Sequence, residues 1–183
     1  MGVGVWFLLG FCVLIFLWNI LMIWYMVLGI FKKTTQAPYV SSFNKEISLM
    51  KQKLALKHGL SLIDLWCWDW KAMRFFANTY WMKCVGFDIN FYAIVIGKFL
   101  TYFSPQKKQI SFFMKNFFKA DLSKFDYIYV YLLPVQLKAI ESRIWKHKKK
   151  ETIIVSNTFQ FAEHTPFEII ENEKGKKVIF LYK

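Results

Sequence analysis

One stretch, from Ser61 to Asn90, SLIDLWCWDWKAMRFFANTYWMKCVGFDIN, limits what this chain can fold into more than any other. Leu62, Ile63 and Leu65 form a short apolar run that ends at Asp64. A helical pattern, KAMRFFANTY, follows, and then a second apolar run, Cys84-Val85-Gly86-Phe87, closed by Asp88. Strand, turn, helix, strand and acidic residue is the layout of a βαβ unit that holds a nucleotide, with the second-strand carboxylate facing ribose hydroxyls.

The turn does not follow that layout. A phosphate- or nucleotide-facing turn needs glycines, because its backbone must reach φ > 0 and let a ligand approach main-chain N–H groups. Trp66, Trp68 and Trp70 stand where glycines belong. Trp81 likewise stands in a helix-to-strand connection, where glycine is the ordinary helix terminator. Three readings are open. The tryptophans form a real strand with alternating rings on one face; or the turn has decayed and the protein binds without catalysis; or the codon behind these residues means glycine in the source organism. The last accounts for the concentration of one residue type in glycine positions, and the enrichment in Phe, Ile, Lys and Tyr fits an A/T-rich genome. The gene decides it, because ordinary TGG at 66, 68, 70 and 81 excludes reassignment.

The excess of apolar residues lies at the start of the chain. From Val5 to Phe31 there is no charge, and Asn19 is the only strongly polar side chain. That run exceeds the roughly 20 residues a bilayer crossing requires. It has no basic region before it and no small-residue cleavage site ahead of Lys32, as a cleaved signal would. The expectation is a single transmembrane anchor over 1–33. Lys32 and Lys33 directly after it place domain 34–183 in the cytoplasm at the cell membrane by the positive-inside rule. The net charge of +13 lies wholly after the anchor, so the anionic inner leaflet is the expected partner. Nucleic acid is not, because the charge is lysine and only Arg74 and Arg143 offer guanidinium groups to read base edges.

Cys12, Cys67 and Cys84 show no CxxC or metal-ligand spacing, and His58, His147 and His164 stand far apart and are expected to lack carboxylate or Cys companions. No metal site or catalytic triad is expected. A linker spans Thr34 to Ser42, with Ser42 or Asn44 capping a helix that places Ile47, Met50, Leu54 and Leu56 on one face and ends at His58-Gly59. The helix after the turn buries Met73, Phe76, Ala77 and Tyr80, and INFYAIVIGKFLTYF makes a second helix packed through Ile89, Ala93, Ile96 and Leu100. Strands follow at Gln109–Met114 and at Phe125–Leu133, the latter a central strand apolar on both faces. Then come the helix VQLKAIESRIWKHK, a strand ETIIVSNTF, and a terminal hairpin turning at Asn172 to Gly175. The fold class is α/β: a Rossmann-like open sheet, mostly parallel, with an antiparallel C-terminal hairpin.

With glycine at 66, 68 and 70 the turn reads LIDLGCGDGKAMRFFA, which resembles the first motif of the class I, seven-stranded S-adenosylmethionine-dependent methyltransferases. PYVSS before the first helix of the domain, FDIN after its second strand, YLLP and SNTF further on are similar to one branch, the ATP synthase C-subunit lysine methyltransferase family and its prokaryotic relatives. The resemblance implies S-adenosyl-L-methionine as cofactor and a protein-lysine N-methyltransferase with a protein substrate, including a membrane protein. Asp64 and the turn Trp66, Cys67, Trp68, Asp69, Trp70 would hold its methionine part, Asp88 the ribose, and Asn116 with Phe117 the adenine. Asn116 departs from the acidic residue common at that place. Tyr131 to Pro134 would sit beside the acceptor. Genuine tryptophans in the turn would put indoles into space meant for the methionine moiety, which leaves a non-catalytic membrane-anchored binding module as the alternative.

Overall fold

The computed structural model describes residues 3–31, 44–67 and 70–183. The expected linker from Thr34 to Ser42, Lys32, Lys33, and the turn positions Trp68 and Asp69 lie outside the described residues. The chain forms two compact units, Met1–Pro38 and Tyr39–Lys183.

The first unit contains helix α1, Val3–Phe31, without a charged residue in either terminal turn. The Asn19 amide donates to the Ile15 carbonyl 2.7 Å away, so the helix satisfies its own polar side chain. At 6, 9–22 and 24 every residue is exposed, among them Trp6, Phe11, Leu14, Phe16 and Trp24. Counted over the described residues, no helix is long and apolar enough to cross a membrane. The transmembrane helix expected over 1–33 is therefore not part of the fold established by those residues.

The second unit is a seven-stranded sheet with helices on both faces. Its elements are α2 (Asn44–Lys53), β1 (Ser61–Asp64), α3 (Lys71–Tyr80), β2 (Lys83–Asp88), α4 (Phe91–Tyr102), β3 (Ile110–Met114), β4 (Tyr127–Val130), α5 (Pro134–His147), β5 (Ile153–Asn157), β6 (Glu168–Glu171) and β7 (Lys177–Tyr182). The strand order is β3-β2-β1-β4-β5-β7-β6. The first five strands are parallel, and β7 runs antiparallel between β5 and β6. The period-2 alternation of side chains explains the two layers. Leu62, Tyr127 and Tyr129 face one core with α2 and α3, while Ile63, Ile128 and Val130 face a second core with α5. All of β4 is buried, as befits a central parallel strand.

Three expectations shift. Helix α2 stops at Lys53, before His58-Gly59, because side-chain hydroxyls take over the backbone: Tyr80 donates to the Leu54 carbonyl and Tyr127 accepts from Lys57 N–H. Strand β4 is shorter than the apolar run, since Asp126 is engaged by Ser61 and Leu133 caps α5. Helix α4 buries Ala93, Ile94, Gly97 and Thr101 and exposes Ile96 and Leu100, which were expected to pack; Ile89, expected to pack with them, lies before the helix and is exposed too. A helix apolar all round carries no polar face to fix its phase, so small residues decide which side approaches the sheet.

Candidate active site

Parallel strands align their carboxyl ends, and this sheet reverses its winding between β1 and β4. A crevice outside the carboxyl ends opens at such a switch point. Asp64 ends β1, where it pairs in register with Gly86 of β2 and Tyr129 of β4. Asp88 ends β2. Residues 131–133 leave β4 at the same edge, so the topology brings the expected cofactor and acceptor positions together.

Asp64 is buried, and its Oδ1 accepts from Trp66 N–H at 3.0 Å. The turn is then closed by Cys67 N–H donating to the Phe87 carbonyl at 3.4 Å and Trp70 N–H to the Cys67 carbonyl at 3.2 Å. None of the described turn residues lies in a strand, which removes the tryptophan-strand reading for them. Trp70 caps α3 with φ 59°, in the left-handed region. That conformation costs a non-glycine residue on the order of 1–2 kcal/mol. Trp81 ends the same helix with φ 56°.

The rings do not all go where the sequence placed them. The Trp70 indole turns away into the core, where it is 1% exposed, donates from Nε1 to the Ala93 carbonyl at 2.8 Å, and meets Phe112 with ring centroids 4.0 Å apart. It fills a notch made by Gly86 and Gly97: a Cβ at either position would collide with the ring. Trp66 is the ring on the site side, half-buried, 6.1 Å from Phe117. Phe117 is itself buried, with Phe118 stacked on it at 4.5 Å. Asn116 is half-buried, and its side chain caps the 3-10 turn at Phe117–Lys119 by accepting from Phe118 N–H.

Asp88 is the sharpest feature. Its side chain is 6% exposed, and Oδ1 accepts from Asn90 N–H at 2.8 Å, while Oδ2 is buried with no hydrogen-bond partner. Burial pushes the carboxyl up to about 6, against the lowering effect of the Asn90 and Ile89 N–H groups. Helix capping does not explain the residue, because Asn90 caps α4 by accepting from Tyr92 and Ala93. A buried acceptor without a donor is what a ribose hydroxyl would complete.

On the acceptor side Tyr131 and Leu133 are half-buried and Pro134 is exposed at the first turn of α5, its missing N–H costing nothing there. Sequence reasoning missed two buried polar side chains. Asn157, buried at the end of β5, donates to the Tyr129 hydroxyl at 3.1 Å. Glu141, buried on α5, accepts from Ala162 and Glu163 N–H and from His164 Nδ1 at 2.8 Å, which ties down the segment after β5. Burial alone would raise the Glu141 pKa, but these donors hold it below the ordinary value. His164, expected to lack a carboxylate companion, has one and also stacks on Trp145 at 3.6 Å. Only the shared strand-end location in the sequence could have pointed to Asn157; partners so far apart in the chain leave no local pattern.

The ANTKMT methyltransferase domain family matches residues 67–168, more than half of the 183-residue chain. Among curated proteins no match to the chain is found. Among solved structures the chain is similar to an RNA methyltransferase from Salinibacter ruber in complex with S-adenosyl-L-homocysteine. That match has TM-score 0.72 and 18% identity and covers 78% of this chain and 92% of that one. It is also similar to a SAM-dependent methyltransferase from Geobacter sulfurreducens in complex with S-adenosyl-L-homocysteine. There the TM-score is 0.57 at 10% identity, with 76% of this chain and 56% of that one covered. A conserved hypothetical protein from Streptococcus pyogenes is similar at TM-score 0.59 and 10% identity, over 74% of this chain and 92% of that one. The chain spans less than half of mycolic acid cyclopropane synthase CmaA1, 43%, at TM-score 0.51, 18% identity and 62% of its own length. At these identities the structures establish the fold.

Proposed function

The chain belongs to the ANTKMT methyltransferase domain family, and from that premise we propose that it transfers a methyl group from S-adenosyl-L-methionine to the amine of a protein lysine. The observation that carries the cofactor reading is the buried, unpartnered Oδ2 of Asp88 at the end of β2. Asp88 would hold the ribose, Asp64 and the turn from Trp66 to Trp70 the methionine part, and Phe117 with Asn116 the adenine. Bound there, the cofactor would supply an electrophilic sulfonium methyl for transfer to the amine nitrogen. The chain's own part is alignment and exclusion of water. Tyr131 to Pro134 would orient the amine, and an ammonium beside this apolar strand end loses its proton more readily because its charged form is desolvated.

The native residues at 66, 68, 70 and 81 are, in this reading, glycines written as tryptophan by a reassigned codon. The left-handed backbone at Trp70 and Trp81 supports it. A second reading, a non-catalytic binding module, is favoured by the close fit of the Trp70 indole into its glycine notch. The exposed apolar side chains and absence of charge in α1 support attachment to the cell membrane, and Lys32 with Lys33 directly after it favour the cytoplasmic side for the methyltransferase domain, 34–183.

Calorimetry with S-adenosylhomocysteine tests the core of this. On the domain from Thr34 onward, glycine at 66, 68, 70 and 81 is expected to give micromolar affinity, about 8 kcal/mol of binding. Tryptophan at those positions is expected to give none. Equal binding by both forms would mean that the turn does not face the cofactor.

A further inference from the structure

Helix α4 differs from the other helices on this sheet. Helices α2 and α5 present lysines, serines and a glutamine to solvent on their outer faces. The outer face of α4 holds Phe91, Val95, Phe99 and Tyr102 in one row and Ile96 and Leu100 in the next, all exposed. At 100° per residue these positions cover roughly half of the helix circumference. Phe103, directly after the helix, is 70% exposed. An exposed apolar face of this extent marks an interaction surface.

The surrounding charge says what covers it. Between Asp88 and Asp121 the chain has no acidic residue, and it has lysines at 98, 107, 108, 115 and 119. Lys98 flanks the apolar face on the helix, and Lys107 lies over the Tyr102 ring with Nζ 4.2 Å from the centroid. Protein interfaces are depleted in lysine at their centres and enriched in arginine. A second copy of this chain would bring the same patch to itself, lysine against lysine with no carboxylate to offset them. A bilayer with anionic headgroups offers the complement: apolar depth for the rings, an interface for Tyr92 and Tyr102, and negative charge for the lysines.

We propose that the outer face of α4 docks into the headgroup layer of an anionic membrane, with Phe91, Val95 and Phe99 entering the acyl boundary and Lys98, Lys107 and Lys108 on the phosphates. This goes beyond attachment through α1 and does not depend on methyl transfer. An α4 so docked holds the carboxyl edge of β2, where α4 begins, close to the bilayer surface.

The experiment uses the full chain in vesicles of mixed phosphatidylcholine and phosphatidylserine, with an environment-sensitive fluorophore on one cysteine at a time. Cys67 and Cys84 are buried, so exposed Cys12 is the only native thiol to be replaced by serine when the label sits elsewhere. Labels at Phe99→Cys and Phe103→Cys are expected to be quenched by lipid-borne nitroxide several-fold more than a label at Val135→Cys, an exposed position on α5. Neutral vesicles, high salt, or the triple change Lys98→Glu, Lys107→Glu, Lys108→Glu are expected to cut that quenching about tenfold or more. A label on Cys12 reads the α1 attachment separately. Quenching at Cys12 without quenching at 99 and 103 overturns the α4 proposal and leaves the anchor standing. Labels at 99 and 103 open to aqueous iodide overturn it. Labels shielded from both quenchers in proportion to protein concentration overturn it in favour of a second copy. A chain that does not float with the vesicles overturns it too.

Discussion

Trp70 and Trp81 sit at opposite ends of the same helix with nearly the same backbone, φ 59° and φ 56°, and very different side-chain surroundings. At 81 the ring is 57% exposed, and the N–H closes the helix onto the Ala77 carbonyl, as a left-handed cap does. At 70 the ring is buried, hydrogen-bonded and set into a glycine notch. The difference separates two kinds of evidence. The backbone at both positions asks for glycine, and only at 70 does the packing ask for a large side chain. Thr158, also left-handed with φ 70°, shows that this fold takes such a residue elsewhere, so Trp81 is the cleaner witness.

The largest expected separation comes from Trp70→Gly alone. If 70 is natively glycine, Gly86 and Gly97 lack the Cβ atoms that would keep β2 and α4 apart, the backbones close, and relief of the left-handed strain gains about 1 kcal/mol. A genuine tryptophan predicts the opposite. Deleting a buried indole costs about 3–5 kcal/mol, so even after strain relief the variant would lose about 3 kcal/mol. Chemical denaturation of the single variant reads the sign, and a loss of that size would break the glycine reading at this position.

Asp88 carries the next effect, because a glycine turn matters only if something binds beside it. With glycine at the turn, Asp88→Ala is expected to weaken S-adenosylhomocysteine roughly ten- to a hundred-fold, the value of hydrogen bonds of about 1.5–3 kcal/mol to a charged acceptor. The pH dependence follows from the raised carboxyl. Its folded value of about 6 lies above the ordinary value, so the folded state binds the extra proton; stability is lost as pH rises from about 4 to 6 and is level above. Affinity should run the other way, falling as pH drops below 6 and the acceptor becomes protonated. Asp88→Asn should flatten both profiles, raise stability at pH 8 by about 1 kcal/mol, and bind less weakly than alanine because one amide oxygen still accepts. An affinity unmoved by Asp88→Ala would remove the ribose role.

What the sequence made legible follows from how local each signal is. The strand, helix and strand from Ser61 to Asp88 are written in short-range alternation and in buried positions such as Met73, Phe76, Ala77 and Tyr80, and the structure has them there. The Asp88 carboxylate could be placed because strand ends are local. The clasp of Glu141 on His164 and the pair Tyr129 with Asn157 could not, because each joins residues more than a helix apart in the chain. The direction of the Trp70 ring was misread for a related reason: it depends on Gly86 and Gly97, two absences of side chain on other elements. The outward face of α4 escaped because its sequence has too few polar residues to show which side meets water.

The smallest effect is also the least confounded. Trp81 offers little buried contact for a glycine to forfeit, since the residue is 57% exposed and its N–H bond to Ala77 belongs to the backbone. Trp81→Gly should therefore raise stability by about 1 kcal/mol through relief of the left-handed conformation. For a domain of this size that is roughly 2–5 °C in Tm. Trp81→Ala provides the control: it removes the same ring but keeps a Cβ at φ 56°, so it should gain little. A gain shared equally by alanine and glycine would assign the effect to the exposed indole and leave the backbone without a role. A gain confined to glycine would show that this position asks for glycine whatever happens at 70, where packing and backbone disagree.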